Sequence, residues 1–364
     1  MKNNSVYEKL GVTPVINAWG VATELGGWTL SHKVSEAMLE ANSTQVEMVD
    51  LLQKSGEFIA KLLGVEAAYI TSGGAAAQAL SVAACMAGTD PRLIEKLPDT
   101  TGMKNKVLIH APNQYMFSRC YTLTGAKLVE VGSKQRSSLD DLELSIDSDT
   151  AAIAYWIQPP DNPKIPSLKE TVDFAKRKGI PSLADACSQI YPLEYFRKNA
   201  QSADLVSFGG KYFGGPHSSG FVCGKADLIE AISHQSFVAY HYDGSKAVGR
   251  AMKIDRHEIA GLVAGIEDWF TMNHEGVPHR ARFLWVGTDT IDISDANIVC
   301  DHYRLDIEKT KGESVQVSPW DYFTDHVASS EALRQIWVEQ NGKRRIIKAT
   351  VSIFGMTVTA ELQE

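Results

Sequence analysis

Lys211 stands out among the residues able to do chemistry, because it sits between two glycine pairs in DLVSFGGKYFGGPHSSGFVCG, directly after an apolar run that reads as a strand. Glycines on both sides permit turns of positive φ and close approach of the backbone to a bulky ligand. A lysine held at a strand end and partly desolvated is suited to forming a Schiff base. The other reading of the segment is a tight solvated loop that carries a lysine. Asp185, in IPSLADACSQ, closes another apolar run, and open α/β sheets place ligand contacts at such strand ends; an Asp there can equally cap the following turn. A third segment, TSGGAAAQALSVAACMAG (71–88), is a glycine-containing turn leading into an Ala-rich helix. The first N–H groups of such a helix, with the hydroxyl of Thr71 or Ser72, can cradle a phosphate. The segment lacks the GxxxxGK[ST] spacing, so nucleotide hydrolysis has no support.

The elements around these residues read as α/β. Apolar positions at intervals of three and four over 33–63, interrupted near Asn42 and Ser43, predict two helices. Short apolar runs follow at 67–71, 106–110, 127–131, 151–156, 181–186, 204–208 and 220–224, with helical intervals between several of them. They predict a mostly parallel seven-stranded sheet with helices on both faces. Residues 246–270 read as one long helix. Past about residue 276 the pattern alternates apolar with polar residues and favours Thr, Val and Ile, which predicts a small strand-rich lobe. The expected organisation is an N-terminal arm (1–30), a large domain (31–275) and a small C-terminal domain (276–364).

A phosphate cradle, a strand-end Asp and a Gly-flanked Lys occur in this chain order in fold-type I enzymes dependent on pyridoxal 5'-phosphate (PLP). In such a site an ionised Asp185 would keep the pyridine nitrogen protonated and let the ring accept electrons. The sequence also resembles the selenocysteine synthase-like (L-seryl-tRNA selenium transferase-like) family, in a branch that includes D-glucosaminate-6-phosphate ammonia-lyase. The resemblance rests on LGVTPVINAWGVATELGG (10–27), AAYITSGGAAA (67–77), LPDTTGMKNKVLI (97–109), TGAKLVEVG (124–132), GIPSLADA (179–186), ADLVSFGGKYFGGPHSSG (203–220) and GRAMKIDRHEIAGL (249–262). It implies Lys211 as the residue that binds PLP covalently, Asp185 as partner of the ring nitrogen, Ser72, Gly73 and Gly74 near the phosphate, and a homodimer or higher homo-oligomer with sites near subunit interfaces. Ser207 and Arg250 are further cofactor candidates, and Asn17, Thr23 and Gly27 of the arm are substrate candidates. Three positions depart from the family pattern. Phe208 stands where relatives carry Ser, with Ser207 one step earlier; Trp28 replaces a small residue; and Asn113 or Gln114 aligns where relatives often have a ring-stacking His.

The resemblance implies a lyase that eliminates a β-substituent from a small amino acid or amino-sugar acid and releases a 2-oxo acid and ammonia. The alternatives are selenium or sulfur transfer onto a seryl-type substrate, and a PLP-fold protein that binds or regulates without turnover. Selenium transfer ranks second because the family-like arm starts near residue 10, which leaves no room for a preceding tRNA-binding domain. Composition fits a globular protein with a full core, at 44% hydrophobic and 22% charged residues. With 36 Lys and Arg against 44 Asp and Glu, a net charge of −8 argues against a broad nucleic-acid surface. Five scattered cysteines without a CxxC pair point to a reducing cytoplasm. The histidines show no metal-ligand spacing, no G-x-S-x-G elbow is present, and no apolar stretch approaches a signal or membrane segment. Arg304, Arg344 and Arg345 are available to hold a substrate carboxylate.

Overall fold

The computed structural model of the chain describes residues 6–274, apart from 13–14, 18–20, 22, 28 and 159–160, together with strand segments between 291 and 363. Trp28 lies outside the described residues. The chain divides into two compact units, Leu30–Met272 and the combination of 1–29 with 273–364.

In the larger unit the helix pair forms as expected: α1 (His32–Ser43), whose N-terminus is capped by Ser31, and α2 (Met48–Leu63). Each apolar run becomes a strand: β1 (Ala67–Thr71), β2 (Lys106–His110), β3 (Lys127–Val131), β4 (Thr150–Trp156), β5 (Ser182–Asp185), β6 (Leu205–Gly209) and β7 (Gly220–Gly224). They form one sheet in the order β1-β7-β6-β5-β4-β2-β3. Only β7 runs antiparallel to its neighbours, β1 and β6. The central strands are buried along nearly their whole length, which is why they read as continuous apolar runs rather than alternating ones.

Helices α3 (Gly74–Ala87), α4 (Pro91–Lys96), α5 (Leu139–Ser145), α6 (Leu168–Lys178), α7 (Leu193–Ala200), α8 (Ala226–His234) and α9 (Arg256–Thr271) belong to the same unit, with shorter turns between them. On one side of the sheet, Leu142 of α5 and Phe174 and Ala175 of α6 pack with Leu108, Val131 and Ile153 of the strands. The small side chains of α3 let it approach β4 to β7 closely, and most of its residues are buried. The single helix expected over 246–270 is two elements: a 3-10 turn at Val248–Ala251 and α9 from Arg256. Asp255 divides them, because its N–H donates to the Glu258 carboxylate at 3.1 Å and its carbonyl accepts the N–H of Ile259. These bonds set a helix start that the apolar periodicity does not show.

The smaller unit is strand-rich, as the alternating pattern predicts. One sheet runs Val15–Asn17, Asn297–Cys300, Tyr303–Asp306, Thr350–Ile353, Met356–Thr357; the other runs Leu362–Gln363, Lys343–Lys348, Gln335–Gln340, Ser314–Ser318, Ile291–Asp292. The N-terminal strand enters the first sheet by pairing in parallel with residues 297–299.

His110 shows how the larger unit is tied together beside its sheet. Fully buried at the end of β2, it meets Ser137 Oγ at 2.7 Å through Nδ1 and Thr171 Oγ1 of α6 at 3.3 Å through Nε2. Burial pushes its pKa down to about 4, against a small opposing pull from Asp141. The folded state therefore binds fewer protons than the unfolded chain between pH of about 6.5 and about 4, and stability falls on acidification through that window. We expect a loss of up to about 3 kcal/mol from this residue. Urea unfolding of wild type and His110→Gln between pH 7.5 and 4.5 measures it. The wild type should lose more stability than the variant, and equal losses would remove the assignment.

Candidate active site

The parallel strands deliver their carboxyl ends to one edge of the sheet, and the pairing register sets the candidate residues side by side. Trp156 at the end of β4 pairs with Asp185 at the end of β5, and Asp185 pairs with Ser207 in β6. Gly209 at the end of β6 pairs with Gly220 at the start of β7, and Gly220 also pairs with Thr71 at the end of β1. Ligand contacts in α/β sheets gather at this edge.

Asp185 is 4% exposed. Its Oδ1 accepts the N–H of Cys187 at 2.9 Å and its Oδ2 accepts the hydroxyl of Tyr115. Among the described residues no Lys or Arg pairs with it. The Tyr115 ring lies parallel to the Trp156 ring, with centroids 4.5 Å apart and planes at 12°. Burial pushes the pKa of the Tyr115 hydroxyl far up, so it stays a donor at neutral pH. Burial likewise raises the pKa of the Cys187 thiol.

Lys211 sits two residues beyond β6 on a 3-10 turn, Gly210–Phe213, half-buried, with its ammonium 5.3 Å from the centre of the Tyr212 ring. The pKa of His217 is lowered by burial and then by the nearby Lys211 charge. The flanking glycines serve the fold directly. A side chain on Gly210 would meet Ser219 Oγ at 2.2 Å, and one on Gly215 would meet the Gly210 carbonyl at 3.0 Å, so the turn can double back only without them. The pleat of β6 explains the departure at Ser207 and Phe208. Phe208 faces an aromatic cluster with Phe196 and Phe221, at 4.8 and 5.1 Å. Ser207, on the other face, donates to the Ala184 carbonyl at 3.4 Å and engages the Cys187 thiol.

The turn between β1 and α3 is shaped for close contact. Gly73 adopts a φ of 93°, and Thr71 Oγ1 donates to its carbonyl at 2.9 Å. Ala77 N–H is bonded to that same carbonyl at 3.1 Å, which leaves the amides of the first helical turn, Gly74 to Ala76, without helical acceptors. Gly220 packs on this turn so tightly that a side chain there would meet Gly73 C and Gly74 N at 2.7 and 2.8 Å. A side chain on Gly74 would strike Cys187 Sγ at 2.3 Å.

The structure brings Asp185, Ser207 and Lys211 to the same edge as Ser72, Gly73 and Gly74. Asn113 is spent on the end of β4, where its amide donates to the Trp156 carbonyl at 2.9 Å and accepts the Trp156 N–H at 2.8 Å, while Gln114 is exposed. Tyr115, one residue on, was missed by sequence reasoning, although it is the residue of that segment whose side chain bonds Asp185. Arg250 is exposed, 3.4 Å from the Phe237 carbonyl and over the Tyr240 ring at 5.8 Å. Asn17, Thr23 and Gly27 belong to the smaller unit, as the end of a strand, the start of a 3-10 turn and a glycine with a φ of 82°.

These residues fit PLP. Asp185 is a buried carboxylate with hydrogen-bond donors and no described cationic side chain, as a ring nitrogen that carries a proton requires. The first turn of α3 offers amides for a phosphate, and Lys211 offers an amine for an aldehyde.

The family model of L-seryl-tRNA selenium transferase matches residues 15–277. D-glucosaminate-6-phosphate ammonia lyase from Salmonella typhimurium is 32% identical over 279 residues, covering 75% of this chain and 71% of that protein. A 5'-C-glycyluridine monooxygenase-decarboxylase from a Streptomyces species is 31% identical over 276 residues, covering 74% and 66%. The L-seryl-tRNA(Sec) selenium transferase of Moorella thermoacetica is 26% identical over 279 residues, covering 69% and 54%. The chain thus spans a little under two thirds of the monooxygenase-decarboxylase and about half of the selenium transferase. A solved structure of D-glucosaminate-6-phosphate ammonia-lyase superposes with a TM-score of 0.68 at 27% identity, covering 94% of this chain and 83% of that one. The chain belongs to the L-seryl-tRNA selenium transferase family and has the fold-type I architecture of enzymes whose cofactor is pyridoxal 5'-phosphate.

Proposed function

We propose that the chain is a PLP-dependent lyase that acts on a small amino acid or amino-sugar acid, removing a β-substituent and releasing a 2-oxo acid and ammonia. The observation that carries this is the buried Asp185 on the strand next to the one that leads into Lys211. The likeness to an ammonia lyase at 32% identity supports the reaction type. Bound PLP supplies an aldehyde for an amine and a ring that accepts an electron pair. Lys211 would hold the cofactor through its amine, and that amine, once free, would take the α-proton of the substrate. Asp185 keeps the proton on the ring nitrogen throughout. The first turn of α3, with Ser72, Gly73 and Gly74, holds the phosphate, and Ser207 fixes the Cys187 segment beside it. The Tyr115 and Trp156 rings keep water from Asp185. Once the β-substituent has left, water completes the conversion to the 2-oxo acid and ammonia.

The similarity to a monooxygenase-decarboxylase, at 31% identity, favours a second reading in which the bond to the α-carboxylate breaks instead. Selenium or sulfur transfer ranks below both, on the lower identity of that relative. A homodimer or higher homo-oligomer is supported by the exposed Met116, Phe117 and Leu123, at 82%, 59% and 53%. The acidic net charge disfavours nucleic acid as a partner, no described helix is long and apolar enough to cross a membrane, and free Cys85, Cys120, Cys187 and Cys223 among the described residues suit a cytoplasmic setting.

The purified protein should show a visible absorption band that borohydride bleaches and traps on the peptide containing Lys211. Lys211→Ala should lower turnover by about a thousandfold or more in a screen of amino acids and amino-sugar acids for 2-oxo acid and ammonia release. A variant with full turnover would sink the mechanism, and carbon dioxide release in place of ammonia would move the second reading to first. The phosphate cradle has its own test. Gly74→Ala should weaken PLP binding about tenfold or more, because the added methyl strikes Cys187 Sγ. Adding Cys187→Ala should restore most of the affinity, since the remaining carbon stands 3.7 Å away. Wild-type affinity in Gly74→Ala alone would displace the phosphate from this turn.

A further inference from the structure

The two oxygens of Asp185 are met by different donors: a backbone amide on Oδ1 and the Tyr115 hydroxyl on Oδ2. The aim of that hydroxyl is fixed from several directions. The Tyr115 ring is stacked on Trp156 and meets the Phe117 ring edge-on, with centroids 6.1 Å apart at 76°. Its N–H donates to Ser118 Oγ at 3.1 Å. Trp156 is pinned in turn by the two bonds of Asn113 to its backbone. Tyr121, 1% exposed, lies near enough for its hydroxyl to feel the Asp185 carboxylate charge.

Every donor bonded to a carboxylate lowers its appetite for a further proton. A hydroxyl bonded to an ionised acceptor in a buried place makes one of the stronger such bonds. We propose that Tyr115, through its hydroxyl, sets how strongly Asp185 holds the proton of the PLP ring nitrogen, and so how strongly the ring draws electrons in this chain. This rests on the reading of the edge as a PLP site. Tyr115 acts through Asp185, which makes it a positioning residue. The expected effect is a moderated electron sink: with two donors drawing on the carboxylate charge, the ring nitrogen gives up its proton at lower pH than it would beside an unencumbered Asp.

The test is nitrogen-15 NMR of the full chain loaded with PLP labelled at the ring nitrogen, titrated with pH. Tyr115→Phe keeps the flat ring beside Trp156 and removes only the hydroxyl. Its nitrogen signal should lie nearer the pyridinium limit than that of the wild type. The pH at which the nitrogen loses its proton should rise by about one unit, a tenfold gain in proton affinity. Tyr115→His restores a flat ring with an N–H donor and should return the titration towards the wild type, which a purely structural role for the ring would not require. A Tyr115→Phe titration that coincides with the wild type, or moves to lower pH, overturns the inference while leaving the PLP reading intact. A wild-type chain that takes up no PLP overturns both, and is seen before any variant is made.

Discussion

A carboxylate buried to the extent of Asp185 must be met by donors or by a cation, because leaving it unmet costs several kcal/mol. Much of the carboxyl edge follows from how it is met. The β5 register places it between Trp156 and Ser207. Asn113 anchors Trp156, Trp156 seats Tyr115, and Tyr115 bonds the carboxylate. Cys187 supplies the opposite donor from the next turn of chain, and its side chain rests against the first turn of α3. One charge thus organises a hydrogen-bonded strand end, an aromatic stack and the approach of a helix N-terminus.

Close backbone packing does the remaining positioning. Reversing the direction of β7 brings Gly220 beside both Gly209 and Thr71, so the turn that precedes α3 and the turn that carries Lys211 meet at one strand start. Absent side chains make that meeting possible: a methyl on Gly220 would collide with main-chain atoms of Gly73, Gly74 and Phe208. Main-chain contacts cannot relax as a side chain can, so the spacing between the cradle and the lysine turn is held by the sheet itself.

The sequence made the sheet legible because buried parallel strands are continuous apolar runs, and the runs from 67–71 to 220–224 became strands nearly residue for residue. Lys211, Asp185 and the 71–88 turn were legible for a related reason: each sits where an apolar run stops, so its place at the edge follows from the strand before it. Tyr115 was not, since its importance lies in contacts with Trp156 and Asp185, forty and seventy residues away, which no local pattern encodes. The same limit hid the use of Asn113, whose amide is consumed by a strand end it does not adjoin in sequence. The break between Val248–Ala251 and α9 was masked by apolar spacing that continues across Asp255, where a side-chain bond of Glu258 outweighs periodicity. In the glycine pairs around Lys211 the sequence signalled tight geometry correctly but not its beneficiary, which at Gly210 and Gly215 is neighbouring backbone and Ser219.

The parallel pairing of Val15–Asn17 with residues 297–299 bears on how the chain comes to be folded. Everything needed for the seven-stranded sheet is present once residue 272 has been made, whereas the first strand has no partner until synthesis has passed residue 299. Closing a contact across so long a stretch is slow when the intervening chain is loose, and faster when that chain has already compacted. Folding in order of synthesis would therefore assemble the larger unit first and leave a short, unpaired edge segment waiting at the amino terminus. The pairing of Val15–Asn17 with residues 297–299 would then be among the last contacts of the first sheet to form.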